Sequence, residues 1–303
     1  MDTIVAISVV SATEEKADKA IEAAFSRIDA LDKTLNFFSD TSELSRINAQ
    51  AGSAPVAVSP ETVEVIAKAI DTSAKTEGAF DVTIGPEIAL WDFVSKRMPE
   101  DRTVKERLPL VDYRNMRIDK ERSTVFLTKK GMRADLGAIA KGYAADKAVG
   151  ELKRQGIRAG LVAVAGDIRA FGLKPDGSGW KVGIRNPRTG GKDDEILATV
   201  ELRDMAVSTS GDYERYFMKD GIRYHHILDP KTGYPATGCR SVTVLAKEGV
   251  DTDSFSTGTF VLGPEKGMKV LEGMGFEGMI LDKDGRVFTT PGLKGKIEFK
   301  GQH

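Results

Sequence analysis

An acid, a glycine and a lysine lie close together in the stretch "DLGAIAKGYAAD" (135–146), where a helix is predicted to begin. Glycine lets a backbone approach a ligand closely, and the free amides at a helix start, together with Lys141, favour phosphate. The spacing matches neither GxxxxGKS/T nor GxGxxG, so the two common phosphate-binding loops are excluded here. A capped turn followed by a surface lysine explains the same residues equally well.

A second acid follows an apolar strand in "AGDIRAFG" (165–172), where Asp167 comes directly after a glycine. From that position its carboxylate could hold a hydroxyl or a basic group of a ligand. A β-turn or a bulge is the alternative, because Gly-Asp pairs are common in turns.

Oxygen-bearing side chains cluster in "DTDSFSTGTFVLG" (251–263). Asp253 and Thr257 are four residues apart and share one face of a helix, with Ser256 beside them. A carboxylate with hydroxyls, without histidine or cysteine, suits Mg²⁺ rather than zinc. An ordinary helix capped by Asp251 or Asp253 explains the same pattern.

Two of the three histidines of the chain are adjacent in "HHILDPKTGYPA" (225–236). Neighbouring side chains in a strand point to opposite faces, so only one of the two can face a given site. His226 could act as a base or orient a phosphate, and a histidine that caps a turn is the alternative. The third histidine, His303, is the last residue. The stretch "GAFDVTIGP" (78–86) could flank a planar ligand, although aromatic residues such as Phe80 are more often part of a core.

The elements that would position these residues form an irregular succession of strands and helices. "TIVAISVV" (3–10) is a predicted strand, and Ser11 with Glu14 predicts a capping box before a long helix. Ser59–Pro60 begins another predicted helix, whereas 95–107 is predicted to be an exposed connection. Because no regular strand–helix–strand alternation is present, we expect an α+β fold of mixed sheets with packed helices, forming a single compact unit over 1–303, of one or two lobes.

The composition excludes several classes of protein. Lys and Arg total 44 and Asp and Glu total 45, so no basic field is available to attract nucleic acid. The single cysteine, Cys239, excludes an internal disulfide and a cysteine metal cluster. No apolar run is long enough to span a bilayer. The first residues lead straight into a strand without a signal or lipid-anchor segment, so we expect that the natural N-terminus was trimmed.

Read together, seven stretches resemble, in order, the FAD:protein FMN transferase family, the ApbE-type flavin transferases. The resemblance runs from the first residue to about Gly263. The stretches are "MDT" (1–3), "SELSRIN" (42–48), "GAFDVTIGP" (78–86), "DLGAIAKGYAAD" (135–146), "AGDIRAFG" (165–172), "HHILDPKTGYPA" (225–236) and "DTDSFSTGTFVLG" (251–263).

The resemblance implies an activity and a fold. Family members depend on Mg²⁺, bind FAD, cleave its pyrophosphate and transfer FMN to a threonine hydroxyl of a target protein, releasing AMP. Some members instead hydrolyse FAD to FMN and AMP. The implied fold is α+β and T-fold-like. The implied acceptor is a subunit of a membrane respiratory flavoprotein, and the implied location is the periplasm or the periplasmic face of a membrane. A cytoplasmic location stays open.

The resemblance also assigns residues. His226 matches the catalytic histidine, and Asp135 is expected only to shape the turn. The metal ligands are implied to be the carbonyl of Ala140 and the side chains of Asp253, Ser256 and Thr257. The FAD contacts are implied to be Met1, Phe38, Ala79, Phe80, Asp81, Gly137, Lys141, Asp167 and Ile227.

Some positions depart from the family pattern. Phe38 stands where a tyrosine is usual, which removes a hydroxyl and keeps the ring, and Ser254, Phe255 and Gly258 change the packing around the implied metal ligands. Two other functions remain open from the sequence: a Mg²⁺-dependent FAD pyrophosphatase on the same scaffold, and an FAD-binding protein without catalysis.

Overall fold

The computed structural model describes residues 3–188 and 195–300. The helices of these residues are α1 (Glu14–Leu35), α2 (Glu43–Ala49), α3 (Pro60–Lys75), α4 (Gly85–Ile88), α5 (Asp101–Arg107), α6 (Ala140–Arg154) and α7 (Gly249–Met274). The strands are β1 (Val5–Val10), β2 (Val56–Ala57), β3 (Met116–Asp119), β4 (Thr124–Leu127), β5 (Ala159–Val164), β6 (Asp167–Phe171), β7 (Trp180–Arg185), β8 (Ile196–Leu202), β9 (Ala206–Gly211), β10 (Tyr216–Lys219), β11 (Ile222–His225), β12 (Cys239–Ala246), β13 (Glu277–Asp282), β14 (Val287–Thr289) and β15 (Ile297–Phe299).

A sheet of seven strands forms the centre, in the order β1-β5-β6-β9-β12-β13-β14. Every neighbouring pair in it is antiparallel. Smaller sheets are built from β10-β11, β15-β8-β7 and β2-β4-β3. Antiparallel sheets with helices outside the ladder are the α+β architecture, so the predicted fold class is confirmed.

Both faces of the central sheet are covered, as strand β5 illustrates. Val162 and Val164 pack against α1 and α6, whereas Leu161 packs with the residues of β7 and β8. Successive side chains of a strand point to opposite faces, so one strand contributes to two hydrophobic cores. Helices therefore cover one face, and the sheet β15-β8-β7 covers the other.

Small residues let the helices pack closely on that face. Ala20 and Ala24 of α1 and Ala145 and Ala148 of α6 are all fully buried in one cluster. Side-chain size at the contact sets how near two helices approach. Helix α6 in turn contacts α7, which packs on β9 and β12. The two helices that carry the candidate chemistry are thereby fixed to one sheet.

One predicted helix start is confirmed, and another is shifted. The Ser59 hydroxyl caps α3 as predicted, and the Ser42 hydroxyl caps α2 in the same way. Helix α1 is capped by Thr13, which accepts a hydrogen bond from the Lys16 amide, so the predicted capping box at Ser11 is wrong. The hydroxyl that precedes the first turn directly is the one within reach of its free amides.

Two more differences from expectation concern helices. The predicted exposed connection 95–107 contains α5, which forms because Val104 is buried against the core. Helix α7 is kinked at Gly263, whose φ of 77° interrupts it just before Pro264. No helix of the described residues combines the length and the apolar composition needed to cross a membrane.

Candidate functional site

A lysine ammonium between two buried carboxylates is the centre of the candidate site. Lys141 Nζ lies 3.0 Å from Asp167 Oδ2, 3.0 Å from Asp253 Oδ1 and 3.3 Å from Asp253 Oδ2. It also donates to the carbonyl oxygen of Gly137 at 3.2 Å. Asp167 and Asp253 are only 5% and 3% exposed. Three of the predicted stretches therefore meet around one cation.

The two carboxylates are a like-charged pair held in low dielectric. Burial and, after it, the negative charge of Asp167 raise the pKa of Asp253 to about 6, against the opposing effects of Lys141 and the Gly142 amide. Burial alone would lower the pKa of Lys141, but Asp167 and Asp253 outweigh it and raise that pKa above its ordinary value. The site therefore attracts positive charge strongly.

Helix α6 is held at its first turn by an acid of α7. The residue before α6 is Ile139, which has no polar side chain, and the Gly142 amide instead donates to Asp253 Oδ2 at 3.0 Å. A Cβ on Gly142 would lie 2.0 Å from the carbonyl oxygen of Gly249, so only glycine permits this approach. An acid at a helix start is favoured by the unpaired amides and the helix dipole.

The reverse contact holds the start of α7. Asp146, on α6, accepts hydrogen bonds from the amides of Gly249 at 2.8 Å and Val250 at 2.9 Å. Arg169 Nε lies 3.3 Å from Asp146 Oδ1. Each of the two helices is thus capped by an acid of the other, and this reciprocal capping sets the position of Asp253.

Hydroxyl groups line the side of α7 that faces β9. Ser210 Oγ lies 2.9 Å from Ser256 Oγ and 3.0 Å from Thr257 Oγ1. Ser256 Oγ also donates to the carbonyl oxygen of Asp253 at 2.9 Å. The predicted ligands Asp253, Ser256 and Thr257 therefore lie on one helix, with a hydroxyl from the sheet added to them.

The adjacent histidines have different surroundings, because β11 ends at His225 and His226 lies in the bend that follows, outside the strand. His225 Nε2 lies 2.8 Å from the carbonyl oxygen of Ala236, and its ring packs edge-on against Phe260. His226 Nδ1 is buried without a hydrogen-bond partner among residues 3–188 and 195–300. His225 therefore has a structural role, and His226 is the histidine with a nitrogen left for chemistry.

His226 is a neutral imidazole at physiological pH. Burial has the largest effect and, together with the positive charges of His225, Arg215 and Lys141, lowers its pKa to about 4. A neutral imidazole with a free nitrogen can accept a proton.

Asp135 lies in the turn before α6. Its Oδ1 accepts a hydrogen bond from the Gly137 amide at 2.7 Å, which is the turn-shaping role expected from the sequence. Burial raises its pKa, against the opposing effects of the Gly137 amide, Arg133, Lys141 and Arg215.

The predicted FAD triplet Ala79, Phe80 and Asp81 lies in a buried loop after α3. Both carboxylate oxygens of Asp81 are engaged, Oδ1 by the amide and hydroxyl of Thr83 and Oδ2 by the Tyr113 amide. Ala79 and Phe80 are 3% and 2% exposed, with Phe80 in the core. The contact predicted for this triplet would therefore be made largely by its backbone.

Close packing against that loop explains why position 258 is a glycine. A Cβ at Gly258 would lie 2.7 Å from Thr76 Cγ2 and 3.1 Å from Phe80 Cβ. Glycine at this position of α7 lets the helix pack closely on the loop.

The remaining predicted site residues occupy varied environments. Phe38 is 82% exposed, and its ring is edge-on to Phe37. Ile227 is buried, and Ala140 is the buried first residue of α6. Met1 lies outside the described residues. The assignment of these residues to FAD or metal stays a prediction.

Sequence reasoning missed four residues that shape the site. Asp146 and Gly142 belong to the first stretch examined, but their roles depend on contacts with α7, more than 100 residues away in sequence. Ser210 and Arg215 belong to stretches with no recognised motif. Among these four, only Gly142 carried a local indication of its role, because a glycine within a helix is typical of close approach by another backbone.

Comparison with known proteins agrees with this arrangement. The sequence profile of the ApbE family matches residues 1–280. An FAD:protein FMN transferase of Treponema pallidum is 37% identical over 295 residues, covering 92% of this chain and 81% of that protein. That of Haemophilus influenzae is 35% identical over 271 residues, covering 87% and 77%.

Solved structures show the same similarity in three dimensions. The ApbE protein from Thermotoga maritima superposes with a TM-score of 0.90 at 34% identity, covering 97% of this chain and 96% of that one. The flavin transferase ApbE from Vibrio cholerae superposes with a TM-score of 0.85 at 32% identity, with the same coverage. Sequence and fold agree over nearly the whole chain, which therefore belongs to the ApbE family.

Proposed function

We propose that this protein is an FAD:protein FMN transferase, a transferase that cleaves FAD and attaches FMN to a threonine of a target flavoprotein, releasing AMP. The observation that carries the proposal is the convergence of Asp167 and Asp253 on a single cation. The hydroxyls of Ser256 and Thr257 lie on the same helix as Asp253, and the buried Nδ1 of His226 has no hydrogen-bond partner among the described residues. The relatives that bear this enzyme name support the proposal.

The donor set fits a divalent cation. Two buried carboxylates already converge with a backbone oxygen on a positive charge, and every potential ligand is an oxygen. The described residues contain no group of three or more His, Cys, Asp or Glu that could hold a metal. Mg²⁺ characteristically binds one or two carboxylates and completes its shell with water and substrate phosphates, so such a group is not required.

We assign Mg²⁺ to Asp253 and Thr257 with the carbonyl of Ala140, and keep Ser256 as a further ligand. When bound, the ion would polarise the pyrophosphate of FAD and neutralise charge on the departing AMP. The contribution of the chain is to hold these oxygens rigidly, since reciprocal capping of α6 and α7 fixes Asp253. Lys141 adds a positive charge beside the phosphates.

His226 has the properties of the base. In the proposed reaction the threonine oxygen attacks the phosphorus on the FMN side, the P–O–P bond breaks, and AMP leaves. The proton of the threonine hydroxyl goes to a base, and His226 Nδ1 is buried, unpaired and neutral. Phosphoryl transfer depends mainly on positioning and on charge neutralisation, with the base in a supporting role.

The acceptor and the location are proposed from the family resemblance. We expect a threonine-bearing subunit of a membrane respiratory flavoprotein as acceptor, and a periplasmic or membrane-anchored setting. Hydrolysis of FAD to FMN and AMP is the second candidate, because the nucleophile comes from outside the chain and water could take the place of threonine.

The direct test supplies the acceptor. The protein is incubated with FAD, Mg²⁺ and a flavoprotein domain of known flavinylation threonine, beside the same domain with that threonine replaced by alanine. We expect stoichiometric AMP and an FMN adduct on the threonine domain only, seen by mass spectrometry. AMP with free FMN and no adduct would favour the hydrolase, and bound FAD without AMP would contradict both activities.

A further inference from the structure

We propose that Lys141 is a built-in competitor of the metal: it neutralises Asp167 and Asp253 when no divalent cation is bound, and a divalent cation displaces it. This inference rests on the metal site of the proposed function and adds a regulator to it. In the proposed function Lys141 only supplies a positive charge near the phosphates. Here Lys141 also sets the affinity of the site for the cation.

The contacts of Lys141 leave its ammonium no free donor. An ammonium has three N–H groups, and Nζ is bonded to Gly137, Asp167 and Asp253. Asp253 is also the carboxylate assigned to the metal. A metal ion bound by Asp253 must therefore compete with the contacts that Lys141 makes with it.

The charge balance makes this competition unequal. Asp167 and Asp253 together carry two negative charges in a buried site, and Lys141 supplies one positive charge. Buried charges without full compensation are costly, so the pair retains a net attraction for a cation. A divalent ion bound by Asp253, beside Asp167, balances the charge of both carboxylates, and Lys141 then becomes an excess positive charge at short distance.

When a cation displaces it, the Lys141 side chain can move toward solvent. Its side chain is 29% exposed, unlike the two carboxylates, and its four-carbon stem is flexible. It lies in the first turn of α6, where the amide of Gly142 is already bonded to Asp253 and keeps that carboxylate in place without the lysine. Loss of the ammonium contact therefore leaves Asp253 positioned for a metal.

The rival interpretation is a permanent structural ion pair. In that case removal of the lysine charge would loosen the carboxylates, and cation binding would weaken or stay unchanged. The two interpretations predict opposite changes in affinity for one variant.

The test measures Mg²⁺ binding by calorimetry on chelator-treated protein without FAD. Lys141→Gln is expected to bind Mg²⁺ about tenfold more tightly than the unaltered protein, within the usual range of coupling between competing sites. Its melting temperature without metal should fall, and Mg²⁺ should restore it. Equal or weaker Mg²⁺ affinity in folded Lys141→Gln overturns the inference.

Two controls separate this inference from the proposed function. Lys147→Gln removes a lysine of the same helix that pairs with Glu64 at 2.8 Å, and should leave Mg²⁺ affinity unchanged. Asp253→Asn should abolish binding. If Mg²⁺ binding is absent or does not depend on Asp253, the proposed metal site itself fails. If it depends on Asp253 but not on Lys141, only the present inference fails.

A measurement on the unaltered chain covers the case in which Lys141→Gln does not fold. Acylation by an amine-reactive reagent is followed by mass spectrometry with and without Mg²⁺. Displacement predicts several-fold faster labelling of Lys141 with Mg²⁺, while labelling of Lys147 is unchanged. Labelling of Lys141 that does not respond to Mg²⁺ overturns the inference.

Discussion

At the scale of single residues, Glu87 of α4 is a carboxyl that the proposed chemistry does not use. It is fully buried, and neither oxygen has a hydrogen-bond partner among the described residues. Burial raises its pKa from the ordinary 4.5 to about 7, against the effect of Arg107. A Cβ on Gly233 would lie 2.8 Å from Glu87 Oε2, so the loop that follows His226 closes over this carboxyl.

Glu87 should make the stability of the protein depend on pH. The folded state binds the proton of Glu87 more tightly than the unfolded state does. The stability that this carboxyl contributes is therefore fully present below pH 4.5 and is lost as pH rises through 7. At about 1.4 kcal/mol per pKa unit, the rise from 4.5 to about 7 sets the loss of stability at no more than about 3.5 kcal/mol. Denaturant unfolding at pH 5 and pH 8 measures this. Between these two pH values the free energy of unfolding of Glu87→Gln should fall by less than that of the unaltered protein.

The exposed Glu106 of α5, paired with Arg102, provides the matched control. Glu106→Gln should keep the pH dependence of the unaltered protein. If Glu87→Gln keeps it as well, the buried carboxyl is not the group responsible.

At the scale of elements, the site depends on the crossing of α6 and α7. Asp253 caps α6 and Asp146 caps α7, and both contacts require that the helices approach at Gly142 and Gly249. The crossing is therefore a single unit in which backbone, caps and the candidate metal ligand support one another. Damage to it should reduce both stability and activity.

Two glycines of α6 allow a matched comparison. Gly142→Ala places a methyl group 2.0 Å from the carbonyl oxygen of Gly249 and should cost roughly 1–3 kcal/mol, as overpacking does, with loss of AMP release. The methyl group of Gly150→Ala meets no atom of the described residues within 4 Å, so this change should stabilise the protein by about 1 kcal/mol, because alanine is the better helix former. Urea unfolding and FAD turnover of both variants are the measurements. Equal effects of the two changes would contradict the role of the crossing.

At the scale of the whole molecule, the fold brings together groups that are far apart in sequence. Asp167 begins β6, Ser210 lies on the neighbouring β9, and α7 packs against that strand with Asp253. Antiparallel pairing places β6 and β9 side by side in the sheet. Helix α7 packs against the sheet with its polar side chains toward these strands. The chemistry therefore depends on the packing of the central sheet with its helices.

Features encoded within a few residues could be predicted from the sequence. The helix start at Ser59, whose hydroxyl caps α3, is such a feature, because the cap and the proline after it are adjacent in the sequence. The contact of Lys141 with Asp253 and the capping role of Asp146 could not be predicted, because each joins residues more than 100 positions apart in the sequence. The shift of the first cap to Thr13 shows that two hydroxyls in one turn cannot be ranked by type alone.

We propose that Asp253 holds the Mg²⁺ ion that assists cleavage of FAD. The most direct measurement compares AMP release from FAD at saturating Mg²⁺ for Asp253→Asn and Asp251→Asn. Asp251 lies on the same helix and pairs with Lys68 at 3.5 Å, away from Lys141. Loss of a metal ligand worth several kcal/mol predicts a fall of at least about 100-fold for Asp253→Asn. Asp251→Asn should stay within about twofold, as expected for a partly exposed pair. AMP release by Asp253→Asn at the rate of the unaltered protein would contradict the assignment of Asp253 as a metal ligand.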